Sequence, residues 1–172
     1  RRYTRERTIA LTLQRSLLPE TPAELPAARA AGSYLPASGT TGVGGDWFDV
    51  IELSSLRVAF VVGDVTGHGL RASATMGRLR TAIHALADLD LPPDELLVHL
   101  DDLVARFVAS APPATDPVTA TCLYAVYDPL TRRLEAASAG HPPPVLIRPG
   151  HPAEFVALEP GPPLGVNGLP FE

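Results

Sequence analysis

Residues 46 to 64 read DWFDVIELSSLRVAFVVGD, two apolar runs separated only by Ser54, Ser55 and Leu56. Runs of this kind, bounded by glycine and serine, read as strands over 46 to 53 and 57 to 64, and a three-residue loop pairs Leu53 with Arg57. The register follows from that pairing. Val50 faces Phe60, Phe48 faces Val62 and Asp46 faces Asp64, all on one face, because side chains alternate along a strand. An apolar face therefore ends in two opposed carboxylates. Directly opposed residues lie roughly 5 Å apart and like charges there repel, so the pair either shares a proton or holds a cation between its members. A divalent cation is the economical answer. A slip of one residue would send the two aspartates to opposite faces, so site and register stand together.

The remaining chain supplies helices on one side of this hairpin and strands after them. Residues 3 to 18 read as a helix with Ile9, Leu13 and Leu17 at four-residue spacing, stopped by Pro19. It fits packing on the domain, or continuing an upstream signalling helix that pairs with a copy of itself. A proline-rich connector over 19 to 30 and a short extended stretch lead to the glycine-rich loop before Asp46. Met76, Leu79, Ile83 and Leu86 mark one face of a helix from about 70 to 88. Leu96, Leu100, Leu103 and Phe107 mark a second, opened by Pro92 and Pro93 and bounded by Pro112. Residues 118 to 127, 132 to 138 and 144 to 148 read as strands. The order of elements predicts an α+β sandwich rather than a βαβ series.

Composition removes several classes of function. The 172 residues carry 45% hydrophobic residues, enough for one cored domain, and a net charge of -5 with no basic run, which argues against nucleic acid and anionic membranes as partners and suits a cation site. No segment has eighteen consecutive apolar residues. The single cysteine, Cys122, lies in the apolar run TATCLYAVYD and reads as a core residue, in keeping with a reducing cytoplasm. The chain contains no lysine, so neither glycine cluster is a Walker loop. Trp47 stands where a dinucleotide fingerprint needs its third glycine. GGDWF also looks like the Gly-Gly-Asp-Glu-Phe signature of diguanylate cyclases, but Trp47 replaces that family's acidic residue. A hard cation such as Mg²⁺ or Mn²⁺ on Asp46 and Asp64 survives. Gly63, Gly67 and Gly69 allow a tight turn that presents a backbone carbonyl beside it. A cation there activates water and neutralises phosphoryl charge, which points to phosphate ester hydrolysis.

Four motifs in order, GGDWFD (44 to 49), GDVTGHG (63 to 69), SAGHPPP (138 to 144) and PPLGV (162 to 166), resemble the SpoIIE/RsbU branch of the metal-dependent PPM protein serine/threonine phosphatases, which are protein phosphatase 2C-like. The resemblance implies a two-sheet antiparallel β-sandwich flanked by helices, with a binuclear Mn²⁺ or Mg²⁺ centre at one end. It implies that Asp46 holds one metal, that Asp64 bridges both, and that the carbonyl of Val65 adds a ligand. The implied substrate is a phosphoserine on an anti-sigma-factor antagonist in a partner-switching pathway, and the implied upstream partner is a GAF or PAS sensor. The domains expected are a linker helix over 1 to 20 and a phosphatase domain over 21 to 172. That domain is C-terminally incomplete, because the family's later aspartate ligands lie beyond Glu172. A degenerate, non-catalytic signalling module of the same fold is the alternative.

Other polar residues carry weaker expectations. Asp49 falls on the opposite face from Asp46 and suits either a hydrogen bond behind the site or a purely structural contact. His68 reads as a turn residue, with orienting a metal-bound water or donating to phosphate as the alternative, and His141 as a structural residue in a proline-stiffened loop, with catalysis as the alternative that its family-like motif offers. Trp47 and Phe48 fill the core and the edge of the site. Arg71, Arg78 and Arg80 read as a solvated helix face with one phosphate contact as the alternative. His84, His99 and His151 have no motif around them.

Overall fold

The structure, a computed structural model, describes residues 25–35, 44–110, 118–166 and 170–171. The helix expected over 3 to 18, the linker over 1 to 20 and the stop at Pro112 lie outside these residues. Residues 25 to 35 contain no helix or strand, and Leu25 among them is buried.

The period-two pattern of the first motif gives β1 (Asp46–Glu52) and β2 (Val58–Val65), joined by a 3₁₀ turn at Ser54–Leu56. The Leu53 N–H donates to the Arg57 carbonyl at 2.8 Å, closing the loop where the three-residue spacing requires. The expected register holds along the whole ladder, with Asp46 opposite Asp64, Phe48 opposite Val62 and Val50 opposite Phe60. Further along come β3 (Ala120–Asp128), β4 (Arg133–Ala139), β5 (Val145–Leu146), β6 (Glu154–Phe155) and β7 (Pro160–Gly161). The main sheet runs β1-β2-β3-β4-β7, antiparallel except for β7, which lies parallel to β4. A second, small sheet pairs β5 with β6. The α+β class with two sheets and helices is thus present. The strand expected over 144 to 148 shrinks to Val145–Leu146, and β6 and β7, two residues each, are too short to leave any alternation in the sequence.

The two helices are α1 (Leu70–Ala87) and α2 (Pro93–Ala109). Pro93 occupies the first turn of α2, where its missing N–H costs nothing, and Asp94 and Glu95 sit on the favourable side of the helix dipole. Met76, Leu79 and Ile83 of α1 and Leu96, Leu97, Leu100 and Val104 of α2 are buried against Trp47, Val61, Cys122, Tyr124 and Ala137 of the sheet. Each large side chain buried this way contributes about 1.5–3 kcal/mol relative to exposure. The opposite face, carrying Asp46, Phe48, Phe60, Val62 and Asp64, is partly open: Val62 is 43% exposed. Gly32 of the 25–35 segment rests on the Phe48 ring there. No helix among the described residues is long and apolar enough to cross a membrane.

Candidate metal centre

Three neighbouring strands bring polar groups to one end of the open face. Asp46 pairs with Asp64 across β1 and β2, and Asp64 pairs with Thr121 across β2 and β3, so all three project from the same side. Burial raises the Asp64 pKa above the ordinary carboxylate value, and the negative charge of Asp46 and a hydrogen bond with its carboxyl group raise it further. These causes favour the protonated form of Asp64, and a cation between the carboxyls would oppose them. The Val65 N–H donates to the Gly45 carbonyl at 3.2 Å. The Val65 carbonyl lies so close to Gly45 that a Cβ there would come within 2.2 Å of its oxygen. Any side chain at 45 would therefore collide with that carbonyl, which belongs to the residue after Asp64. The Gly44 carbonyl is held from behind by the buried Ser73 hydroxyl of α1, which donates to it at 2.9 Å.

His141 approaches the same end from the loop after β4. Its N–H donates to Ser138 Oγ at 3.1 Å, and the Ser138 hydroxyl donates to its carbonyl at 2.9 Å. The Gly140 N–H is anchored on the Gly161 carbonyl of β7 at 2.9 Å. The loop so fixed sets the ring Nδ1 2.9 Å from Thr121 Oγ1. Burial lowers the His141 pKa, with the charge of Asp46 pulling the other way. A cavity of about 490 Å³ opens here, lined by Asp46, Phe48, Val50, Phe60, Val62 and His141 among others. The structural role expected of His141 is present, and its ring also lines the cavity that Asp46 borders, the placement that the catalytic alternative for this motif requires. The missing signal was the β2–β3 register, because β3 follows β2 after two helices and no short loop fixes the pairing.

Other candidates sit elsewhere. Asp49 is on the helix-covered face, as its position two pleats from Ile51 and Trp47 requires, and is only 3% exposed. It accepts from Arg80 Nε at 2.7 Å and lies 2.6 Å from His84 Nε2, so it locks β1 to α1 instead of joining Asp46. This corrects the reading of Arg80 as solvated and supplies the context His84 lacked. The Arg78 guanidinium stacks 5.2 Å from the Phe107 ring, and His68, His99 and His151 are exposed. Gly63 serves no turn: it lies within β2 opposite Trp47, whose ring would be 2.2 Å from a Cβ at that position. Gly67 and Gly69 do form the turn, with φ of 95° and 84°. Trp47 fills the core and Phe48 lines the cavity, as expected.

Two opposed carboxylates and one carbonyl are hard oxygen donors, a set that fits Mg²⁺ or Mn²⁺ with remaining positions left to water and phosphate oxygens. No group of three His, Cys, Asp or Glu residues gathers for a metal among the described residues. The chemistry open to such a site is hydrolysis of a phosphate ester rather than thiol or imidazole ligation of a softer metal.

The chain is similar to known proteins in sequence and in fold. Residues 54–172 match the family model described as stage II sporulation protein E (SpoIIE). The chain is also similar to one in the crystal structure of the RsbU and RsbW domains of Rv1364c from Mycobacterium tuberculosis, with 34% identity and a TM-score of 0.59. The match covers 85% of this chain and 36% of that one, so this chain spans well under half of that protein's length.

Proposed function

The chain belongs to the SpoIIE family, the SpoIIE/RsbU-type PPM phosphatases, and from that premise we propose that it hydrolyses phosphoserine on a regulatory protein by means of a divalent cation held at Asp46 and Asp64. The observation that carries the reading is the facing pair at the end of the β1–β2 ladder, where burial and then the charge of Asp46 raise Asp64, a condition that a cation would relieve. Asp46 would hold one Mn²⁺ or Mg²⁺, Asp64 would bridge to a second in a binuclear centre, and the Val65 carbonyl would complete the protein's share. Bound there, the cations supply a water activated near neutral pH and neutralise phosphoryl charge.

The chain's own residues account for the rest. Asp46 and Asp64 are stiff because each ends a strand paired on its flank, and Gly44 and Gly45 are clamped by Ser73 and Val65. The donors are therefore set before any substrate arrives, which is what positioning in phosphoryl transfer demands. Phe48, Val50, Phe60 and Val62 give the cavity an apolar lining beside the carboxylate end. A protein substrate, here an anti-sigma-factor antagonist carrying phosphoserine, would present its ester at this end. The helix over 3 to 18 would join the domain to a GAF or PAS sensor and pair with its copy in a homodimer. These partners, and a cytoplasmic setting, are part of the proposal.

Hydrolysis of p-nitrophenyl phosphate against Mn²⁺ concentration by the full-length protein tests the proposal. Turnover that rises with Mn²⁺ and falls at least 100-fold in Asp64→Asn is expected, by the cost of losing a group that supports transition-state charge, roughly 3 kcal/mol. A folded protein with no metal-dependent turnover would instead make it the non-catalytic signalling module.

A further inference from the structure

We infer that His141 is a substrate-binding residue whose Nε2–H donates a hydrogen bond to a phosphoryl oxygen in the cavity beside Asp46, with Thr121 fixing the tautomer that makes this donation available. The inference deepens the phosphatase reading and rests on it. Three features of the fold carry it. First, Thr121 stands in the same cross-strand row as Asp46 and Asp64, and its hydroxyl is 2.9 Å from His141 Nδ1. We assign the hydroxyl as the donor to Nδ1, an assignment that places the ring proton on Nε2. Second, the backbone of His141 is held through both its N–H and its carbonyl by Ser138, and its loop is anchored to β7 through Gly140, so the position from which the ring projects is fixed. Third, His141 lines the cavity whose wall Asp46 also forms, and Nε2 has no protein partner among the described residues. A half-buried donor facing a cavity with an acidic end is matched by an anion brought in with its cation, and a phosphate monoester is such a ligand.

Burial favours the neutral ring, which agrees with a donor that keeps one N–H throughout and passes no proton. In this role His141 resembles a fixed dipole aimed at phosphoryl charge, a group that needs no reorganisation when substrate binds.

The test uses the full-length protein with saturating Mn²⁺ and three readouts: kcat and KM for p-nitrophenyl phosphate, the competitive inhibition constant of inorganic phosphate, and the Mn²⁺-induced rise in melting temperature. In His141→Ala and His141→Asn the phosphate inhibition constant should rise about tenfold, as expected for one hydrogen bond to a charged acceptor. His141→Gln, whose amide nitrogen reaches the place of Nε2, should stay within about threefold of wild type, and Thr121→Val should weaken phosphate binding like the alanine variant. The Mn²⁺-induced rise should persist in all four. Because Asn and Gln differ only in reach, their comparison separates donation from loop stability even if Ala lowers the melting temperature. The inference is overturned if wild type turns over but Ala and Asn bind phosphate as wild type does. It is equally overturned if Gln fails to rescue, or if the variants lose the Mn²⁺ response, which would make His141 part of the metal site. Absence of metal-dependent turnover in wild type removes the phosphatase reading itself.

Discussion

Asp46 and Asp64 repel across the β1–β2 ladder, and the fold tolerates this at its exposed end. The sign of the effect is fixed by the raised Asp64 carboxyl. A carboxyl whose pKa is higher folded than unfolded binds extra protons in the folded state, so its share of stability is present in acid and is lost as pH rises from about 3.8 through the raised value. Asp64→Asn removes that loss. Opposed like charges cost at most about 1 kcal/mol and solvent screens them at this end, so the metal-free variant should melt about 1–2 °C above wild type at pH 7. With Mn²⁺ at about 100 times its dissociation constant the order should reverse, because wild type gains about 2.7 kcal/mol by mass action and the variant forfeits it. Differential scanning fluorimetry with and without Mn²⁺ reads both signs. A variant that melts lower than wild type without metal would mean that Asp64 is held by contacts more favourable than its partner's charge. Thr121 and His141 belong to the same cluster, yet only His141 stands in a motif, since a threonine in a strand is an ordinary local choice.

At the scale of elements, α1 is tied to β1 on both sides of Asp46. Ser73 holds the Gly44 carbonyl two residues before it, and Arg80 and His84 hold Asp49 three residues after it. The Asp49 carboxylate is 3% exposed and Arg80 23%, so the pair lies where losing one member leaves an uncompensated charge. Asp49→Ala should destabilise by about 3 kcal/mol in urea unfolding, and adding Arg80→Met should return part of the loss by removing the stranded guanidinium. Equal loss in the single and double variants would show that packing beneath α1, not the ion pair, holds the helix. Amphipathic periodicity together with bounding prolines found both helices, the first to within a residue and the second with its start at Pro93. It did not find their polar anchors: Asp49 and Arg80 are 31 residues apart, and only the docking of α1 on the sheet brings them together.

Across the whole molecule, the core lies between the helices and one face of the sheet, with Cys122 at its centre. Burial pushes the Cys122 thiol up to about 12, so no thiolate is available in the folded protein. A thiol reagent such as dithionitrobenzoate should label it only as fast as the domain opens, with urea accelerating labelling along the unfolding transition. Fast labelling of the native protein would place Cys122 outside the core. This burial was legible from TATCLYAVYD because an apolar run needs no partner to be recognised. So was the Asp46–Asp64 pairing, since a three-residue loop fixes register within a few residues and leaves the alternation no second solution. What the chain's local order could not contain is the meeting of segments separated by long stretches: β2 with β3, β7 with β4, and the His141 loop with Thr121. Local patterns fix periodicity and faces because they depend on neighbours along the chain, whereas register between distant strands depends on how helices and sheet pack together, and that packing is what completed the candidate site.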